Sequence, residues 1–171
     1  MLLVGLAPAA HGGNRTGRIF TGDASGDFLF AGLHRAGLAN QPASTRPGDG
    51  LVLTDTYIAA VNRCAPPANK PTPDERDNCL PYLVAEVGAL ERLRLIVALG
   101  AFAWDGVLRM LAARGHAGRP RPAFAHAVEA KVGPFVLIGC FHPSQQNTFT
   151  GRLTPDMLDA VLQRARQLAG E

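Results

Sequence analysis

The 171-residue sequence lacks several features that would assign it to a class at once. Its three cysteines follow no secretory signal, which argues against a disulfide framework. Neither Gly-x-Gly-x-x-Gly nor Gly-Lys-Ser/Thr occurs, so the dinucleotide-binding and P-loop mechanisms lack their signatures. No apolar stretch reaches membrane length, and we therefore expect a cytoplasmic protein.

Composition and length predict one globular domain. The sequence is 47% hydrophobic and 18% charged, which separates it from disordered chains. A net charge of +3 permits a nucleic-acid partner without requiring one. The first apolar run begins directly after Met1, so we expect the single domain over 1–171 to lack an N-terminal segment.

One Gly-rich stretch, residues 5–27, organises the chain. It follows the apolar run Leu2 to Val4 and precedes a helical pattern that begins near Phe28. A strand, a long Gly-rich loop and a helix place backbone N–H groups around a ligand. A plain connection is the alternative, but this loop also holds cations, amides, carboxylates and one aromatic ring, Phe20. The stretch therefore predicts a binding site.

The rest of the chain alternates strands and helices. We predict strands at 51–61, at 95–99 and in a pair at 124–130 and 134–141, and a last helix from 154. Thr72-Pro73-Asp74-Glu75 is typical of a capped helix start. This order predicts an α/β sandwich around a mainly parallel sheet. Ligands bind at the carboxyl ends of such strands, where the polar loops 5–27, 62–73 and 142–153 should meet.

These loops resemble the uracil-DNA glycosylase superfamily, and in particular its family 5, often called type B. Gly5-Leu6-Ala7-Pro8 matches the first motif of the superfamily, and His142-Pro143-Ser144 matches the last. The family 5 strings are Gly-Leu-Ala-Pro-Ala-Ala-His-Gly-Gly-Asn-Arg-Thr-Gly-Arg (5–18), Phe-Thr-Gly-Asp (20–23) and Gln-Asn-Thr-Phe-Thr-Gly-Arg-Leu-Thr (146–154). The resemblance implies a three-layer fold, with a four-stranded, mainly parallel sheet between helices, and excision of deaminated bases from DNA.

The resemblance also implies a catalytic group. The usual water-activating residue of the superfamily is replaced here by Ala7, and Asp23 takes its role in family 5. A stabilising charge at the start of a helix is the alternative reading of Asp23, and Asp27 is the substitute candidate. His142 would donate to the base oxygen, and the remaining catalytic candidates are the amides Asn69 and Asn147, which could instead be turn residues.

Base and DNA contacts follow from the same resemblance. Phe20 would stack on the flipped base, although a core Phe is the alternative, and Ala60 stands where family 4 enzymes carry a base-reading Asn. The other base-binding candidates are Gly5, Leu6 and Ala7. Leu153 would fill the gap that the flipped nucleotide leaves. The remaining DNA-binding candidates are Arg15, Arg18, Arg63, Lys70, Ser144 and Arg152.

Families 4 and 5 carry a 4Fe–4S cluster on four cysteines, of which Cys64 and Cys79 match the second pair. In the family the first pair lies upstream of the Gly-Leu-Ala-Pro strand, where this sequence has nothing. Either the cluster needs residues beyond this sequence, or this member has lost it. Cys140 is expected to be a buried apolar residue.

The function expected from the resemblance is a monomeric DNA glycosylase for uracil, and for hypoxanthine or xanthine as well. A uracil-only enzyme of the family 4 kind is the nearer alternative. A non-catalytic DNA-binding module is the more distant one, suggested by Ala7 and by the missing pair of cysteines.

Overall fold

The computed structural model describes residues 1–170, and every structural statement below concerns that range. The strands are β1 (Leu2–Gly5), β2 (Tyr57–Ala60), β3 (Leu95–Leu99), β4 (Glu129–Val132) and β5 (Phe135–Cys140). The helices are α1 (Gly13–Thr16), α2 (Ala24–Arg35), α3 (Pro73–Ala89), α4 (Ala101–Ala113), α5 (Gln145–Phe149) and α6 (Pro155–Gly170). No helix within 1–170 is both long and apolar enough to cross a membrane.

The sheet confirms the expected α/β architecture and differs from the expectation in strand count. Its five strands have the order β2-β1-β3-β5-β4. The first four run parallel, while β4 pairs antiparallel with β5 at the edge. The expected four-stranded parallel sheet is therefore present, and the hairpin that the sequence predicted adds the fifth strand to it.

Helices cover both faces of the sheet and give two cores. The α3 and α4 side is filled by residues such as Leu83, Trp104 and Val107. The α2 and α6 side is filled by Leu29, Leu33 and other apolar residues. Strand β3 is buried throughout because it lies in the middle of the sheet with a core on each face.

Two predicted strands are shorter than the sequence suggested. The region 51–61 contributes only β2, because Leu53 forms an isolated antiparallel bridge with Ala39 and not with the sheet. Strand β4 begins at Glu129 and not at 124, since Ala127 has a left-handed φ of 57° that interrupts extended backbone. The capping box at Thr72 and Glu75 is present as predicted and begins α3.

Candidate functional site

The Gly-rich loop folds back onto the strand that precedes it. Phe20 is 6% exposed, and its ring lies over Gly5, the last residue of β1. A Cβ at Gly5 would lie 2.8 Å from two ring carbons of Phe20, so only glycine allows this close approach. Phe20 itself has a φ of 58°, a strained value for a bulky residue. Such strain is often stored at functional sites.

His142 closes this arrangement from the other end of the chain. Its ring centroid lies 5.8 Å from that of Phe20, with 38° between the ring planes. Gly100, at the end of β3, lies against it, since a Cβ there would be 3.2 Å from the His142 Cβ. Burial lowers the pKa of His142 to about 4, and the carboxylate of Asp23 opposes that shift. The imidazole is therefore neutral at pH 7.

Asp23 has a structural role as well as a position near His142. It is the N-cap of α2, where its Oδ1 accepts a hydrogen bond of 2.9 Å from the Gly26 N–H. Its other oxygen lies against Gly12, where any side chain would collide with it. One carboxylate oxygen of Asp23 therefore caps α2, as the alternative interpretation of this residue expected. The second oxygen does not take part in the cap. Asp27 is exposed in the first turn of the same helix.

The loop after β5 is held by its own amide. The Asn147 side chain donates to the His142 carbonyl oxygen at 2.9 Å, and the Leu153 N–H donates to the Asn147 carbonyl oxygen at 3.0 Å. Asn147 therefore positions the backbone that carries His142. Ser144 is the N-cap residue of α5, and no side-chain cap bond is formed there.

Leu153 corrects an expectation of the sequence. Its side chain is fully buried in the core between the sheet, α2 and α6. A side chain in that position cannot fill a gap in DNA without unfolding part of the core. The predicted wedge residue is therefore wrong.

The loop after β2 meets the Gly-rich loop through backbone and not through Asn69. The Asn62 N–H donates to the Leu6 carbonyl oxygen at 3.0 Å. Asn69 is exposed, with a left-handed φ of 54° in the 3₁₀ turn Pro67–Asn69, as its alternative reading as a turn residue expected. Its role at the base stays a prediction.

The base-pocket candidates lie at the carboxyl ends of β1 and β2, where Gly5 contacts the Phe20 ring. Ala60 is fully buried and stands opposite Gly5 in the parallel register of β1 and β2. Leu6 and Ala7, which follow β1, are half-buried. The sequence analysis did not single out Asn62, which is 2% exposed and whose Oδ1 has no hydrogen-bond partner within 1–170. An amide directly after an apolar strand was the available signal.

The predicted DNA-binding cations divide into two groups. Arg18 is committed to Asp49 and Ser44, at 2.8 and 3.0 Å. Arg63 is paired through two hydrogen bonds with Glu86. These two guanidinium groups stabilise their own loops. The three that are exposed at the surface are Arg15, Lys70 and Arg152.

Arg152 rests on an aromatic column that the sequence analysis also missed. Its guanidinium carbon lies 4.7 Å from the centre of the Phe141 ring. Phe141 stacks on His126 at 4.9 Å between centroids, and the Phe141 N–H donates to the His126 Nδ1 at 3.2 Å. Burial lowers the pKa of His126, which favours this stacked neutral ring. Arg152 is thereby held at the surface within the loop 142–153.

The cysteines do not complete a 4Fe–4S site within residues 1–170. Cys79 accepts a hydrogen bond of 3.4 Å from the Arg63 N–H, which places it beside the residue that precedes Cys64. No group of three or more potential ligands occurs in the described range. Cys140 is buried in β5, and burial raises the pKa of its thiol to about 12. These residues supply at most half of a four-cysteine set.

A fold of this kind, with an aromatic ring, a neutral histidine and a carboxylate at the carboxyl ends of the strands, defines a class. The chain belongs to the uracil DNA glycosylase superfamily, whose family model matches residues 1–166. It is 56% identical to a type-5 uracil-DNA glycosylase of Mycobacterium bovis, over 99% of this chain and 63% of that protein. It is 48% identical to the type-5 uracil-DNA glycosylase of Thermus thermophilus, over 99% of this chain and 76% of that protein.

Within the superfamily the similarity is to type-5 members, which confirms the resemblance to family 5. A type-4 uracil-DNA glycosylase of Pyrobaculum aerophilum is 34% identical over 67% of this chain and 50% of that protein. The type-5 relatives match more of the chain at higher identity. The chain spans about 63% of the length of the Mycobacterium bovis relative.

Proposed function

We propose that this protein is a DNA-repair glycosylase that flips deaminated bases out of DNA and hydrolyses their N-glycosidic bond. The supporting observation is the convergence of Phe20, His142 and Asp23 at one edge of the sheet. The names of the type-5 relatives support uracil as a substrate. We further propose that the protein acts as a monomer in the cytoplasm.

The proposed chemistry begins with extrusion of the base, because a base inside a duplex cannot be attacked at its sugar. Phe20 offers a ring face for the flipped base to stack on. Cleavage then leaves positive charge on the sugar, as in glycoside hydrolysis, and negative charge on the departing base. The site must stabilise both charges at once.

His142 is proposed to act on the base. A neutral imidazole presents one N–H donor, which can hydrogen-bond to a base oxygen as negative charge develops there. Because burial lowers the pKa of His142 to about 4, the imidazole is neutral across the physiological range and carries a single N–H. The Asn147 bond to the His142 carbonyl fixes the backbone that carries the donor.

Asp23 is proposed to act on the sugar. Its Oδ1 is held by the Gly26 N–H, so the carboxylate is fixed before substrate arrives. The second oxygen can stabilise the cationic sugar and hold the attacking water. Asn69 lies on an exposed turn in the free protein. It is proposed to join the sugar side of the site when DNA binds.

The substrate range is proposed to include hypoxanthine or xanthine. Ala60 is small and stands opposite Gly5, which contacts the Phe20 ring, at the position where family 4 enzymes have an Asn. Without the Asn side chain, the pocket has more room for a purine and lacks an amide that would discriminate against it. Leu6 and Ala7 would contact the base together with Gly5. The side chains of Arg15, Lys70, Ser144 and Arg152 would contact phosphates.

The residues present do not complete a 4Fe–4S site, so no step of this proposal depends on one. If a cluster is bound, Cys64 and Cys79 are the residues of this chain that would hold it. Cys64 lies on the loop that follows β2, and Cys79 lies in α3.

Incubation with uracil-containing DNA, followed by alkali, tests the proposal. Strand scission at the uracil position is expected, with hypoxanthine and xanthine substrates run beside it. Binding without abasic sites would instead support a non-catalytic module. Scission at uracil alone would support a uracil-only enzyme.

A further inference from the structure

His126 is a half-buried histidine that the proposed chemistry does not use. It lies between α4 and β4, and its ring stacks on that of Phe141 at 4.9 Å between centroids. Its Nδ1 accepts a hydrogen bond of 3.2 Å from the Phe141 N–H. Because β5 ends at Cys140, this N–H is bonded by a side chain and not by a neighbouring strand. His126 therefore holds the backbone at the point where the pairing of the sheet ends.

The segment that carries His126 lies directly on β5. A Cβ at Gly139 would collide with the Ala125 carbonyl oxygen, so glycine is needed for this close approach. The Ala127 N–H donates to the Gly139 carbonyl oxygen at 2.7 Å, and the Gly139 N–H donates to the Val128 carbonyl oxygen at 2.9 Å. These contacts flank His126 in the chain, and they fix its ring beside the end of β5.

Two side chains hold the backbone around His142. His126 accepts from the N–H of the preceding residue, Phe141, and the Asn147 amide donates to the His142 carbonyl oxygen at 2.9 Å. Because the two bonds act on adjacent residues, they restrict the backbone that carries the imidazole. The imidazole centroid lies 5.8 Å from that of the Phe20 ring. His126 is thus connected to the candidate site through one backbone segment.

His126 also interacts with the chain just after the loop 142–153. Burial lowers the pKa of His126, and a hydrogen bond with the backbone of Met157, in the first turn of α6, opposes that shift. The ring is therefore neutral at pH 7, which leaves its Nδ1 able to accept from the Phe141 N–H. One ring joins the residue before the loop to the helix after it.

We propose that His126 is a positioning residue that places the His142 imidazole for hydrogen bonding to the departing base. This inference rests on the proposed function, and His126 would act through the Phe141 backbone without touching the substrate. A merely structural role, in which the ring fills space beside Phe141, is the alternative. The hydrogen bond distinguishes the two, because a ring that only fills space needs no acceptor.

Two substitutions separate the acceptor from the ring. His126→Phe keeps a ring that can stack on Phe141 and loses the acceptor. His126→Asn loses the ring and keeps an acceptor oxygen on Cγ, where Nδ1 stands in histidine. His126→Phe should slow single-turnover excision of uracil about 10- to 100-fold, because misplacing a catalytic group by about 1 Å can cost 100-fold. His126→Asn should recover most of that loss.

A better leaving group should make the reaction less sensitive to His126. The fluorine of 5-fluorouracil withdraws electrons and stabilises negative charge on the departing base, so this base depends less on a donor from His142. Excision of 5-fluorouracil by His126→Phe should therefore stay within about 5-fold of the parent. Equilibrium binding of uracil-containing DNA should stay within about 3-fold, since the lost interaction belongs to the chemical step.

The matched control is His116→Phe. His116 is also half-buried, and its ring centroid lies 5.8 Å from that of Phe135, at the opposite end of β5 from Phe141. This variant should excise uracil and 5-fluorouracil as the parent protein does.

Nuclear magnetic resonance of the imidazole groups tests the placement without catalysis. The His142 signals should shift in His126→Phe and return toward the parent positions in His126→Asn. Unchanged His142 signals in His126→Phe would overturn the proposal, and so would equal losses with uracil and 5-fluorouracil. An Asn variant no more active than the Phe variant would also overturn it. Failure of the proposed function is a different outcome, in which the parent itself releases no uracil, and the His142 signals would then still decide whether His126 places that ring.

Discussion

The ring of Phe20 and the imidazole of His142 lie 5.8 Å apart although they come from opposite ends of the sequence. The Gly-rich loop carries the first ring back over β1, and the end of β5 delivers the second. The proposed position of the flipped base is against these two rings. A glycine lies against each residue: Gly5 lies under the Phe20 ring, and Gly100, which has a left-handed φ of 97°, lies against the Cβ of His142.

Gly5→Ala tests the placement of Phe20. The added methyl group would be 2.8 Å from two ring carbons, so the ring must move away from β1. We expect uracil excision to fall by on the order of 10-fold or more, through loss of the stacking platform. Gly170→Ala is the control, since a Cβ there meets nothing within 4 Å. A Gly5→Ala variant as active as the control would show that the Phe20 position is unimportant.

His142 should make stability depend on pH. Its folded pKa of about 4 lies below the ordinary 6.5, so between these values the unfolded chain binds more protons. The contribution of His142 to the free energy of unfolding is complete above pH 6.5. It is lost as the pH falls toward 4, and the loss is at most about 3 kcal/mol. Urea melts of the parent and of His142→Gln across this range would measure it.

As the pH falls, the free energy of unfolding of the parent should decrease relative to that of His142→Gln. His126, whose pKa is also lowered by burial, adds a slope of the same sign that remains in both proteins. Parallel stability curves for the parent and His142→Gln would contradict a depressed His142 pKa.

Arg152 should contribute to the salt dependence of DNA binding. It is exposed and held on Phe141, whereas Arg18 is already paired with Asp49 inside the protein. Each phosphate contact releases counterions, so Arg152→Gln should reduce the slope of log K against log salt by about 1. Arg92→Gln is the control, because Arg92 faces the cavity at the amino ends of the strands. Equal slopes for Arg152→Gln and the parent would remove Arg152 from the DNA footprint.

The sequence predicted what depends on local pattern. The apolar run of β3 and the capping box of α3 carry their own signals, and both are present. The parallel order of the strands then predicted that the loops bearing Phe20 and His142 would meet, and their rings do.

Those local patterns did not predict contacts between residues that are distant in the sequence. Leu153 looks like an exposed loop residue in the sequence, but α2 and α6 bury it. Arg18 looks like a free cation, but Asp49 lies 31 residues away in the chain and pairs with it. The sequence could not show that the Asn62 Oδ1 lacks a hydrogen-bond partner either, because that depends on the positions of all the groups around it in the fold. Composition and spacing do not identify contacts between residues that are far apart in the sequence.

Asp23→Asn separates the N-cap role of this residue from the catalytic role that we propose for it. Asn is as good an N-cap as Asp, so the bond from Gly26 and the start of α2 should survive. The negative charge near the sugar would be lost, and excision of uracil should fall on the order of 100- to 1,000-fold. Binding of DNA should remain or improve, because a negative group beside phosphates has gone.

Asp27→Asn is the matched control, since Asp27 is exposed in the first turn of the same helix. Single-turnover excision, equilibrium binding and melting temperature would be measured for both variants. If Asp27→Asn abolishes excision while Asp23→Asn leaves the rate within about 5-fold, well below the expected loss, then the catalytic carboxylate is Asp27 and Asp23 serves only as the cap.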